Sequence, residues 1–228
     1  DNLAIGYDAM TTNTAGGTNN VAIGNYALDA LTSGDSNVAV GYDALTTNNT
    51  GSNSVAIGKD AMKNHTSGGD NVAIGTDAME LATTASQCIA MGSYALGGAV
   101  ATGDYNVALG ANSMDAATGA SESIAVGKSA LGAITTGTRN VAVGFETLST
   151  ATTTGSNTAL GDSALKASTS GTYLTAVGAG ALDTNTTGSF NTSVGAVSMD
   201  ANTTGTHNTA VGVAALDANT KANSNTAL

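Results

Sequence analysis

The feature that most constrains this chain is a repeat. The phrase Asn-Val-Ala-Ile-Gly returns along all 228 residues, and its glycines are Gly6, Gly24, Gly41, Gly58, Gly75, Gly92, Gly110, Gly127, Gly144, Gly161, Gly178, Gly195 and Gly212. Successive glycines are 17 residues apart, except for two intervals of 18, Gly6 to Gly24 and Gly92 to Gly110. A further copy begins at Asn225-Thr226-Ala227-Leu228. A fixed short period is the mark of a chain that stacks one small unit many times.

Positions counted from each motif glycine form columns. The residue before it is Ile, Val, Leu or Met, and the one before that is Ala in every copy but Ser193. Three before it stands Val, Ile or Leu, replaced by Thr from Thr158 onward. Asn dominates the column four before, with Ser54, Cys88, Ser123 and Leu174 as exceptions. Four after it every copy has Leu or Met, as at Met10, Leu28 and Met62. A second Gly usually follows ten after, as at Gly34, Gly51 and Gly137.

A helix would have to carry Gly and Thr-Thr-Gly in its interior, at about 1 kcal/mol per Gly. The alternation in Val-Ala-Ile-Gly is that of a strand, with successive side chains on opposite faces. The expected fold is therefore all-β: a parallel β-solenoid, or β-roll, of 17-residue coils, about 13 of them, forming a single repeat domain over residues 1–228. The reading gives each coil a strand of about five residues, a second short extended segment around Ala-Leu, and a Thr-x-Gly-Ser turn. The extra residue of an 18-residue interval goes into a turn. Like residues then stack about 4.8 Å apart, with an Asn ladder at the strand start, an aliphatic ladder inside and a Thr ladder in the turn. The Ala and Gly face is the smooth, uncharged one that a close contact between copies requires; alternatively its small residues line a tight inner bend.

Composition narrows the function. Charged residues are only 10% while 41% are apolar, which speaks against a disordered chain. A net charge of −11 argues against nucleic acid or anionic lipid as partner. No run approaches the 18 apolar residues of a membrane span, so direct membrane insertion is not expected. The one cysteine, Cys88, cannot form an intrachain disulfide, and its place in the Asn column makes it a small buried substitute. The first residue is Asp1 and the last copy breaks off before its Gly, so the chain reads as an excerpt with N- and C-terminal flanks missing.

The repeat at Asn53-Ser54-Val55-Ala56-Ile57-Gly58, with copies ending at Gly24 and Gly75, resembles the head-domain repeat of trimeric autotransporter adhesins. It is equally similar to head-like repeats of bacteriophage tail-fibre proteins, where spacers like Thr203-Thr204-Gly205-Thr206 are frequent. The resemblance implies a left-handed roll and a homotrimer. It also implies an extracellular place, on a cell surface or virion tail, and attachment to a host receptor, glycan or matrix protein. These repeats are longer than the 14 to 16 residues usual in such heads, and no stretch of this excerpt reads as a neck, stalk or anchor. A filament component self-assembled end to end is the alternative function, and an ice-binding solenoid a lesser one.

Nothing in the sequence points to an enzyme, a cofactor or a metal centre. His65 and His207 stand in different columns and are both expected in exposed turns. Stacked carboxylates such as Asp183, Asp200 and Asp217 suggest calcium, but a solvated acidic stripe is the reading taken. A Thr column eight after the glycine, from Thr14 and Thr32 to Thr220, lacks the second column that ice binding needs and is read as turn chemistry. Three residues stand out as a possible ligand contact. Tyr173, Phe190 and His207 share the column five before the glycine in consecutive coils, so their rings should stack on the surface.

Overall fold

The computed structural model describes residues 1–13 and 16–228. Thr14 and Ala15, within the first 18-residue interval, lie outside the described residues. The chain forms two compact units, Asp1–Gly119 and Ala120–Leu228. Both are all-β parallel solenoids, and no helix occurs among the described residues.

In the first unit β1 (Leu3–Ile5), β2 (Val21–Ile23), β3 (Val38–Val40), β4 (Val55–Ile57), β5 (Val72–Ile74), β6 (Ile89–Met91) and β7 (Val107–Leu109) pair in parallel, each with the next. The register is fixed by the repeat, so that Ala39 faces Ala56 and Val40 faces Ile57. The second unit repeats the scheme with β8 (Ile124–Val126), β9 (Val141–Val143), β10 (Thr158–Leu160), β11 (Thr175–Val177), β12 (Thr192–Val194), β13 (Thr209–Val211) and β14 (Thr226–Ala227). One repeat is one coil.

The strands are three residues long, β14 two, shorter than the expected five, and among the described residues each coil has one. The segment around Ala-Leu is not a second extended segment. It is a run of turns, residues 25–30 in the coil that follows β2. There Tyr26 (φ 62°) and Leu28 (φ 51°) both take the left-handed conformation, and Ser36 (φ 58°) does so before the next strand. Three such non-glycine residues recur in coil after coil. Each costs about 1 kcal/mol or more. What holds them is the neighbouring coil. Tyr26 N–H donates to Tyr7 O at 2.9 Å, Leu28 N–H to Ala44 O at 3.0 Å and Ser36 N–H to Thr18 O at 2.9 Å. Stacking, not local preference, sets this backbone.

The faces are the reverse of the expected ones. The Ala column is fully buried, from Ala22 through Ala108 in the first unit and Ala125 through Ala210 in the second. The aliphatic residues on either side of it point outward; Ile5 is 55% and Met91 43% exposed. The reason is space. Inside the coil the strand faces the Leu/Met column, with Leu28, Leu45, Met62 and Met79 fully buried in the first unit and Leu131, Leu148 and Leu165 in the second. Only a small side chain, the methyl of Ala or the hydroxymethyl of Ser193, fits between that column and the strand. Small residues thus line a tight inner wall, and the charge-free outer face is the one built from Val, Ile, Leu, Met and, from Thr158, Thr.

The Asn ladder is present and its bonding is mainly to backbone. Asn37 Nδ2 donates to Gly51 O at 2.8 Å, and its Oδ1 accepts from Ser54 N–H at 3.0 Å. Asn157 does the same with Gly171 O and Leu174 N–H. These amides are buried, and each bridges two coils, so its own donor and acceptor are both met. Ser193, the one break in the Ala column, is buried too and donates its hydroxyl to Ser198 O at 2.8 Å. The second 18-residue interval absorbs its extra residue between Leu96 and Thr102, whose bonds to Ser113 O and Thr118 O are kept while Val100 is turned out to solvent.

Candidate functional site

The coil geometry offers three exposed arcs: the strand face, the turn after the motif glycine, and the Thr-rich turn before the next Asn column. On the last of these in the second unit lies the aromatic ladder. Tyr173 and Phe190 stack with ring centroids 5.1 Å apart and planes 8° from parallel. Phe190 and His207 follow at 4.9 Å and 16°. All three are exposed, Tyr173 by 60% and Phe190 by 50%. The coil repeat places the three expected residues together, each in the left-handed conformation at φ 55°, 59° and 58°. Tyr105 occupies the same column in the first unit and is exposed as well.

A second aromatic group went unnoticed in the sequence because its members come from adjoining columns. Tyr7, Tyr26 and Tyr42 meet edge to face, with centroids 5.6 and 5.8 Å apart.

His65 is not an exposed turn residue. It is fully buried, in a column seven after the glycine that also holds Leu31, Asn48, Ala82 and Ile134. Its Nε2 lies 2.8 Å from Gly68 O and its Nδ1 3.2 Å from Ala82 O. Burial pushes the imidazole below its ordinary range, partly opposed by those two carbonyls. The apolar members of the column are the signal that would have placed it inside.

Cys88 is buried as expected. Its Sγ lies 3.4 Å from Ser86 O and 3.5 Å from Gly103 O, and burial pushes the thiol up to about 11. Such a thiol is a packing group, not a nucleophile.

Two of the aspartates two after the glycine, Asp43 and Asp60, are met by lysines. Lys63 Nζ lies 2.9 Å from Asp43 and 3.1 Å from Asp60, and Lys59 also pairs with Asp60. Hydrogen bonds to Asp43 and Asp60 hold the Lys63 ammonium well above its usual range. Among the described residues no three His, Cys, Asp or Glu side chains converge as a metal site.

The Thr column is turn chemistry. Thr66, Thr169, Thr186 and Thr203 each donate the hydroxyl to the carbonyl of the equivalent Thr one coil on, at 3.0 to 3.1 Å. Each of these hydroxyls thus spends its proton on the next coil. Thr14 of this column lies outside the described residues.

No protein-family model, no curated protein and no solved structure matches this chain. The class defined by fold and surface is a parallel β-solenoid with an uncharged strand face, apolar throughout the first unit.

Proposed function

We propose that this chain is a segment of a non-enzymatic homotrimeric fibre or adhesin head, acting outside the cell in attachment to a host surface. The observation that carries the reading is the strand face. In the first unit Leu3, Ile5, Ile23, Ile57, Ile89 and Met91 are exposed along it with no charge among them. Single exposed apolar side chains are ordinary, but a continuous apolar stripe marks a surface that another body covers. Covering it with copies of itself suits a repeat, because identical coils meet identical coils. The number three, and the left-handed sense of the coil, come from the resemblance of the Asn-Ser-Val-Ala-Ile-Gly repeat to adhesin heads and tail fibres. Attachment comes from the same source and is supported by a rigid wall that holds exposed aromatic groups in fixed array.

Sedimentation equilibrium tests the reading. Three chains per particle are expected, and Ile57→Lys combined with Val126→Lys should give single chains with an unchanged β spectrum. A wild-type chain that stays single at tens of micromolar overturns the proposal.

A further inference from the structure

The Thr-rich arc differs between the two units in charge. In the first unit it carries Asp1, Asp35, Asp70 and Asp104 and no Lys or Arg. In the second it is almost wholly Thr, Ser and Gly around the aromatic ladder, and its charged groups are Arg139, Lys221 and Glu122. Two cations against one carboxylate are a local reversal in a chain of net charge −11.

The ladder also has an opening. Within the stack each ring covers its neighbour, so one free aromatic face is the side of Tyr173 turned away from Phe190. The same column one coil before Tyr173 holds Ser156, and one coil before that Arg139, the only arginine of the chain. Two coils span about 10 Å. A ring seated over Ser156 therefore lies about 5 Å from Tyr173 and about 5 Å from Arg139, close to the spacing the stack itself uses.

A saturated sugar ring presents an apolar C–H face that covers an aromatic ring. Arginine binds carboxylate through two parallel hydrogen bonds. The Thr hydroxyls beside the ladder donate into the wall, as Thr169 does to Thr186 O, and keep lone pairs that accept from sugar hydroxyls. We infer that this arc of the second unit binds an acidic polysaccharide, one uronate ring stacking on Tyr173 above Ser156 with its carboxylate held by Arg139. The inference rests on the attachment reading for its setting, and not on how many chains assemble.

The test is calorimetric titration of the full chain with a glucuronate-containing oligosaccharide of defined length and with its carboxyl-reduced, neutral counterpart. The acidic form should bind about tenfold tighter, the range of a charged hydrogen-bonded pair, and should weaken with added salt. Arg139→Gln should abolish the difference. Tyr173→Asn with Phe190→Asn should remove binding of both sugars and leave the β spectrum intact, because Asn19 and Asn53 already occupy this left-handed column. Equal binding of the two sugars, binding that survives loss of both rings, or no heat at millimolar sugar overturns the inference. Particle mass, measured separately, reports on the fibre reading alone.

Discussion

Gly58 and Gly75 stand one coil apart, so close that a Cβ on Gly58 would lie 2.4 Å from the carbonyl oxygen of Gly75. At φ 137° the backbone of Gly58 is also one that side chains rarely adopt. The motif glycine thus lets one coil rest on the next. Gly58→Ala is expected to cost at least about 2 kcal/mol in denaturant unfolding. Gly180 is the contrast. It has φ 65° and only a Val197 side-chain atom near, at 3.3 Å, and its column is filled elsewhere by non-glycine residues such as Asp43 and Tyr94. Gly180→Asn should leave stability within about 0.5 kcal/mol.

The face assignment predicts opposite tolerance at adjacent residues. Ala56 is buried and Ile57 is 38% exposed. Ala56→Val forces an isopropyl group against the Leu/Met column and should cost about 1 to 3 kcal/mol. Ile57→Val should cost less than about 1 kcal/mol, and thermal melts of both variants decide between this arrangement and its inverse.

His65 makes stability depend on pH. Its folded value is lowered by burial, so the unfolded chain takes up a proton that the folded chain refuses. The stabilisation is complete above the unfolded value of about 6.5 and is lost as pH falls below it towards the folded value. Asn48 fills the same column one coil earlier, bonding Gly51 O through Nδ2 at 3.0 Å and Gly51 N–H through Oδ1 at 2.9 Å. His65→Asn should therefore unfold almost as late as wild type at pH 7.5 and lose less stability by pH 5. Melts at the two pH values read the difference.

Cys88 should react with a maleimide only after unfolding, since its thiol is both buried and pushed up to about 11. Labelling in the native state at neutral pH within minutes would place the thiol elsewhere.

Much of the fold is legible in the sequence because the period alone dictates it. Seventeen residues returning with Gly at one position and Ala at another leave room for one coil per repeat, and the parallel register of Ala39 on Ala56 follows. The Asn and Thr columns are legible for the same reason, each having donors or acceptors that suit the next coil. The direction of the strand faces is not. Ala and Val are both apolar, and greater hydrophobicity favours Val inside, whereas the narrow coil admits only the methyl of Ala22 or Ala56. The turn is hidden too, because Leu28 and Met62 have no preference for the left-handed conformation and adopt it under the pull of adjacent coils. The ring stack of Tyr173, Phe190 and His207 needs only the period, so it is read directly. The Tyr7, Tyr26 and Tyr42 cluster crosses columns and needs the structure.

A density map at side-chain resolution tests the central claim most directly. One short parallel strand per 17 residues should appear, with Ala56 and its equivalents pointing into the coil and Ile57 and its equivalents pointing out. Isoleucine inside and alanine outside, or two strands in each repeat, would contradict it.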